Sequence, residues 1–249
     1  VVAIAPTYGM YSVAAAINNV NVKEVPLAAD TYALDIEAML RAVDEHTRLM
    51  WVCSPNNPTG NAFPLSELEQ LATRFDGVLV VDEAYIDFSD KGSMLSVLSH
   101  HPNVVVLQTL SKAWGMAGLR LGLAFASPEV AALFAHVKYP YNVNGPTQRE
   151  VMQRLATEAH DEHVAEVIRE RQALSSALLS ASCVVRVYPS DANFLLIKVR
   201  DADALYAHLV AKGIIVRNRH RVPGCKNCLR LTIGTPEENV RLLQAIQSF

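Results

Sequence analysis

The chain is poor in the features that mark the more specialised protein classes. Its 249 residues hold only four cysteines. No framework of paired spacings joins them, which excludes a disulfide scaffold and fits a reducing cytoplasm. No apolar stretch is long enough to cross a bilayer, and no signal peptide is recognisable. Neither charge sign dominates: the formal net charge of −3 argues against nucleic acid as a partner. Internal repeats and low-complexity tracts are absent as well. Cys225-Lys226-Asn227-Cys228 forms a C-x-x-C, but no second pair and no His-x-x-x-His stands ready to complete a zinc site. His160 and His163 lie in a charged stretch and read as solvated. No metal is expected.

What is present points to a globular enzyme. Apolar residues make up 51% and charged residues 19%, enough to fill two cores at this length. Three short apolar runs read as strands, and each ends in chemistry. Arg48-Leu49-Met50-Trp51-Val52-Cys53 runs into Ser54-Pro55-Asn56-Asn57-Pro58-Thr59-Gly60. Gly77-Val78-Leu79-Val80-Val81 runs into Asp82-Glu83-Ala84-Tyr85, and Val104-Val105-Val106-Leu107-Gln108-Thr109-Leu110 into Ser111-Lys112. In a parallel sheet the three ends share one edge, where α/β proteins bind their ligands. A lysine walled in by apolar residues loses preference for its charged form and becomes a nucleophile able to form a Schiff base with a carbonyl. A carboxylate, a phenol, a carboxamide and an amine converging at one edge suit a pyridine-aldehyde cofactor.

These segments, with Ser111-Lys112-Ala113-Trp114-Gly115-Met116-Ala117-Gly118-Leu119-Arg120, resemble the pyridoxal-phosphate aminotransferases of fold type I. Pro6-Thr7-Tyr8-Gly9-Met10-Tyr11 and Cys228-Leu229-Arg230-Leu231-Thr232-Ile233-Gly234 narrow the resemblance to the histidinol-phosphate aminotransferases. It runs the length of the chain. The chain opens inside an apolar run, without methionine. Family members carry a further segment ahead of that point, with a Gly-Ser-type loop, an arm and a tyrosine for the partner subunit's site. An inactive, truncated dimerisation module is therefore one alternative reading.

The resemblance implies a role for each residue. Lys112 carries pyridoxal 5'-phosphate and moves a proton at the substrate's Cα, which requires a pKa below the ordinary value of about 10.4. Asp82 faces the pyridine nitrogen and keeps it protonated, so that the ring withdraws electrons. Asn56 and Tyr85 bond the ring oxygen, Ser111 and Arg120 grip the phosphate, and Tyr8 stacks on the ring. Arg217 and Arg230 serve the anionic end of the substrate. Taken alone, Asp82 and Asn56 also suit turn chemistry, Tyr85 a core aromatic, and Arg120 a surface ion pair. Arg217-Asn218-Arg219-His220-Arg221 is too short and isolated for a nucleic-acid patch; a small anionic substrate explains it better, with a simply solvated Arg219 and Arg221 as the alternative. The implied donor is L-histidinol phosphate and the acceptor 2-oxoglutarate, within histidine biosynthesis, in a cytoplasmic homodimer. A threonine-phosphate decarboxylase or a broader aromatic or aspartate aminotransferase of the same fold are the other enzymatic readings.

The pattern predicts an α/β fold, with a mostly parallel sheet between helices in a large lobe over 1–145. A smaller α+β lobe, entered through an interdomain helix, fills 146–249. Strands are expected near 1–5, 22–26, 48–53, 77–82, 103–109 and 119–125. Later strands are expected at 183–187, 194–199, 214–216 and 229–233, with a helix near 201–212. Pro64 is expected to open a helix at its first position, with Ser66 and Glu69 assisting. From Pro146 to about Ser180 nothing breaks a helix, which predicts one long bridge between lobes. Thr235, Pro236 and Glu238 have the arrangement of a capping box.

Overall fold

The computed structural model describes residues 1–157 and 160–249. The chain runs β1 (Val2–Ala5), α1 (Met10–Ile17), β2 (Lys23–Pro26), α2 (Ile36–Arg41), β3 (Leu49–Cys53), α3 (Leu65–Arg74), β4 (Val78–Asp82) and β5 (Val104–Thr109). It continues through β6 (Gly122–Ala126), α4 (Pro128–Val137), α5 (Gly145–Thr157), α6 (His160–Leu178), β7 (Val184–Val187) and β8 (Phe194–Val199). The last elements are α7 (Ala202–Ala211), β9 (Arg217–Asn218), β10 (Cys228–Thr232) and α8 (Pro236–Gln247).

The first six strands form one sheet in the order β2-β1-β3-β4-β5-β6. β1 to β5 are parallel and β6 alone is antiparallel. The inner strands are buried on both faces, as parallel strands covered by helices must be, and this is why they read as unbroken Val and Leu runs. Met39, Leu68, Leu71 and Phe75 pack on Met50, Val52, Leu79 and Val81 in the main core. Because the five strands share a direction, their C-terminal ends all open on one edge.

The remaining strands form an antiparallel sheet in the order β7-β8-β10-β9. Here the side chains alternate with period two. Leu195, Ile197 and Val199 of β8 join Leu229 and Leu231 of β10 in a core closed by Leu205, Leu209, Leu242 and Ile246. Between them, Phe194 packs with Tyr85 and Leu196 reaches the main core, so β8 is shared by three clusters of the core. The loop after β7 extends this contact. Asp191 Oδ2 accepts from the Ala62 N–H at 2.8 Å, and the Asp191 N–H donates to Gly60 O at 2.7 Å.

Several boundaries differ from the sequence reading. β6 begins at Gly122 rather than near 119, because 117–119 form a 3-10 turn and Arg120 takes a left-handed conformation, φ 56°. Ile214–Val216 is not a strand. The chain leaves α7 through Gly213 at φ 73°, and pairing starts only at Arg217, opposite Arg230. Pro64 is the N-cap of α3 rather than its first residue, and no side chain caps that end. The expected long bridge is occupied by α5 and α6; the junction at 158–159 lies outside the described residues. The capping box at Thr235 and Glu238 is formed as expected. Among the described residues, no helix is long and apolar enough to cross a membrane.

Candidate active site

The shared C-terminal edge of the parallel strands opens into a cavity of about 880 Å³. Its floor is made by strand ends: Ile4 and Ala5 from β1, Cys53 from β3, Asp82 from β4, and Leu107 to Thr109 from β5. Its far wall comes from the antiparallel sheet, through Arg217, Arg219 and Arg230. Eight of the nine residues singled out in the sequence line it, namely Tyr8, Asp82, Tyr85, Ser111, Lys112, Arg120, Arg217 and Arg230. Asn56 does not.

Asn56 is fully buried behind the lining. Its Oδ1 accepts from Thr7 Oγ1 at 2.8 Å, while Nδ2 donates to Pro6 O at 2.9 Å and Thr59 Oγ1 at 2.7 Å. Its backbone accepts from Gly60 N–H at 2.7 Å and donates to Asn61 O at 2.9 Å. Asn56 thus builds the turn, and its neighbour Asn57 faces the cavity. There Asn57 Oδ1 accepts from Arg230 Nη1 at 2.7 Å, a charge-assisted bond that joins the two walls.

Asp82 closes β4, and both its oxygens are engaged. Oδ1 accepts from the Ala84 N–H at 3.0 Å, and Oδ2 from the Tyr11 hydroxyl at 2.5 Å. Burial pushes the carboxyl above its ordinary pKa, while these two donors and Lys112 pull it back. Tyr11 is itself held well above the phenol range, chiefly by burial and then by Cys53 and Asp82, so it remains a donor. Its ring lies 4.8 Å from that of Trp51 and meets Tyr8 edge-on at 5.6 Å. Sequence reasoning missed Tyr11. The available signal was its three-residue spacing from Tyr8 across the start of α1, which sets the two rings edge to face beside the same strand ends.

Lys112 is more open than its apolar surroundings in the sequence implied: its side chain is exposed to the cavity. Partial burial still lowers its pKa, and Arg230 lowers it further, against the pull of Asp82. The ammonium nitrogen lies 5.4 Å from the centre of the Tyr85 ring. Tyr85 is buried, with its pKa pushed up to about 12 mainly by that burial, so the phenol is neutral at physiological pH. Beyond Lys112, the Ser111 N–H and Oγ both bond Thr109 Oγ1, at 3.1 and 3.0 Å. Arg120 Nη1 donates to Ala117 O at 3.0 Å and lines the same end of the cavity.

Two residues that can be read as solvated are not. Arg219 lines the cavity, and its Nε is buried without a hydrogen-bond partner. His160 stacks on Trp114, 4.1 Å between centres, with Nε2 3.4 Å from Asp87. This contact braces the segment after Lys112 against α6. The four cysteines are free and buried, and Cys225 receives only the Tyr32 hydroxyl at 3.8 Å.

Comparison with known proteins agrees with this arrangement. The family profile described as aminotransferase class I and II matches residues 1–246. A histidinol-phosphate aminotransferase of Parabacteroides distasonis is 51% identical over 249 residues, covering 100% of this chain and 72% of the relative. This chain belongs to the histidinol-phosphate aminotransferase family of class I and II aminotransferases. A histidinol-phosphate aminotransferase structure from Clostridium acetobutylicum shares the fold, with a TM-score of 0.93 at 21% identity, over 99% of this chain and 76% of the other. One from Sinorhizobium meliloti, in complex with pyridoxal-5'-phosphate, aligns with a TM-score of 0.90 at 25% identity, over 100% of this chain and 69% of that one.

Proposed function

We propose that this chain catalyses pyridoxal 5'-phosphate-dependent transfer of the amino group of L-histidinol phosphate to 2-oxoglutarate. The products are imidazole acetol phosphate and L-glutamate, a step of histidine biosynthesis. One observation carries the reading: Lys112 and Asp82, from the ends of adjacent parallel strands, open into one cavity whose opposite wall is built of arginines.

The donor set fits the cofactor. Asp82 is a half-buried carboxylate with both oxygens held by donors, and a carboxylate has lone pairs to spare for a protonated ring nitrogen. Tyr85 and Asn57 supply a phenol and a carboxamide for the ring oxygen; Asn57 takes the place expected of Asn56, whose amide is committed to the turn. Ser111 and Arg120 supply a hydroxyl and a guanidinium for the phosphate, and Tyr8 an aromatic face. When bound, the cofactor supplies an electron sink for the charge that develops at the substrate's Cα.

The protein's residues do the rest. Lys112 holds the cofactor between turnovers, and its lowered pKa frees the amine to take the proton from the donor's Cα. Asp82, whose ionised form Tyr11 and the Ala84 N–H favour against the effect of burial, holds the proton on the ring nitrogen. Arg217 and Arg230 orient the anionic ends of donor and acceptor. Over the full cycle the donor's C–N bond becomes C=O and the acceptor's C=O becomes C–NH2. The exchange is therefore redox-neutral and needs no further reactant.

The lobe boundary at 145/146, a homodimer and a cytoplasmic location belong to the same reading. Exposed apolar side chains on α1 and α4, among them Met10, Val13, Ile17, Leu133 and Val137, support a covered face, and four free thiols support a reducing compartment.

The test is to load the purified protein with pyridoxal phosphate, add L-histidinol phosphate, and follow the visible band of the bound cofactor. The band is expected to bleach and to return on adding 2-oxoglutarate, with no carbon dioxide released. Lys112→Ala is expected to lose multiple turnover while keeping the fold. Retained turnover in that variant, or carbon dioxide release by the wild type, would overturn the proposal.

A further inference from the structure

One half-buried cation in the cavity has, among the described residues, no hydrogen-bond or ion-pair partner. Arg219 follows β9, and its backbone is pinned to β10, with its N–H donating to Cys228 O at 2.9 Å and its carbonyl accepting from Val222 N–H at 2.9 Å. Its guanidinium side chain lines the cavity wall. Its Nε is buried without a hydrogen bond, and among the described residues no carboxylate lies within ion-pair distance of it. Burial and the nearby Arg217 both disfavour its charged form. A half-buried guanidinium with neither a hydrogen bond nor a carboxylate beside it is costly. Such a cost is repaid where an anion arrives to complete the site.

The charge balance of the cavity says how much anion it can take. Lys112, Arg120, Arg217, Arg219 and Arg230 line it against Asp82 and Glu24 alone. Asp82 is already bonded to Tyr11, and Arg230 has spent one nitrogen on Asn57. With Ser111 and Arg120 assigned to the cofactor's phosphate, three guanidiniums remain on the wall formed by β9, β10 and the loop after β9. A single carboxylate offers two oxygens and one charge, which one guanidinium fork satisfies. A phosphate monoester offers three acceptor oxygens and close to two charges at neutral pH, and so accommodates several forks.

We propose that Arg219 is a specificity-determining residue that receives the phosphate of the amino donor and selects phosphate monoesters over their unphosphorylated counterparts. This rests on the aminotransferase reading above and deepens it. A donor without the phosphate leaves Arg219 as unpaired as it is in the free protein, so discrimination comes from a site that is unsatisfied until the phosphate enters.

The experiment uses the cofactor-loaded protein with Arg219→Gln and Arg219→Lys. Steady-state rates are measured with L-histidinol phosphate and with L-histidinol, and inorganic phosphate is titrated into each protein by calorimetry. Arg219→Gln is expected to raise KM for the phosphorylated donor by roughly 10- to 100-fold, the scale of a lost charge-assisted hydrogen bond, with a much smaller change in kcat. The preference for the phosphorylated donor and the affinity for inorganic phosphate are expected to fall with it, and Arg219→Lys to restore part of each. Equal losses on both donors, or a KM increase confined to 2-oxoglutarate, would overturn the assignment. If the wild type transfers no amino group from L-histidinol phosphate, the reaction assignment falls. The phosphate titration then still decides on Arg219: unchanged phosphate affinity in Arg219→Gln removes the anion site.

Discussion

Tyr11→Phe isolates one oxygen atom at the centre of the site. The phenyl ring can keep its place beside Trp51, 4.8 Å away, so the packing survives and only the bond to Asp82 is lost. A hydrogen bond to a charged acceptor contributes about 1.5–3 kcal/mol, and here the acceptor is a carboxylate that burial already disfavours. The sign follows from linkage. Asp82 sits above its ordinary pKa of 3.8, so its protonated form is the one the fold prefers. Its contribution to stability is full below that ordinary value and declines as pH rises through the folded-state pKa. Removing Tyr11 raises that pKa further and deepens the decline. In the cofactor-free protein the variant is therefore expected to match wild type near the acidic end of the carboxylate range. It should fall behind as pH rises, by about 1.5–3 kcal/mol once Asp82 is ionised. Urea unfolding at pH 5 and pH 8 measures the difference. The same loss should weaken pyridoxal phosphate binding at pH 8 by roughly 10-fold or more, read from the visible band, because the carboxylate facing the ring nitrogen is less readily ionised. A deficit of equal size at both pH values would show that Tyr11 acts by packing alone. An unchanged cofactor affinity would refute the link from Tyr11 to Asp82.

Two further substitutions separate building the turn from using it. Asn57→Ala should weaken cofactor binding with little change in unfolding free energy. Asn56→Ala should cost about 2–4 kcal/mol of stability, because it strands buried partners at Pro6, Thr7 and Thr59. Equal stability losses in the two would refute the division. Gly60→Ala should cost about 1–3 kcal/mol by urea unfolding, since φ there is +88° and an added Cβ would stand 2.7 Å from Ser190 Oγ. A neutral result would mean that the 188–193 loop yields easily and does not clamp the turn.

The strand ends were legible because three independent signals coincided there: apolar β-branched runs, an abrupt change to polar residues, and a shared direction imposed by the helices between them. Asp82, the last residue of β4, and Lys112, three residues past the end of β5, follow from that coincidence, since the chain leaving a buried strand has nowhere to go but the edge. What the sequence hid was direction within a few residues. Asn56 and Asn57 are chemically identical, and a turn held by backbone bonds at both ends sends one inward and the other to the cavity. No propensity tells them apart; only Thr7 and Pro6, about fifty residues away, decide it. His160 looked solvated for the same kind of reason, because the ring it covers, Trp114, is remote in the chain. Arg219 is the sharper case. In Arg217-Asn218-Arg219-His220-Arg221 a continued strand would put all three arginines on one face, yet only Arg217 and Arg219 reach the cavity, while Arg221 stays outside. β9 ends at Asn218, so the alternation of a strand no longer governs Arg221. The chain turns there, held by the bond to Cys228 O, and a third guanidinium swings into a site that two would have sufficed to make an aminotransferase's. An arginine brought in against its like-charged neighbours is the part of this site that pattern reading could not supply, and it is the part that bears most directly on the choice of substrate.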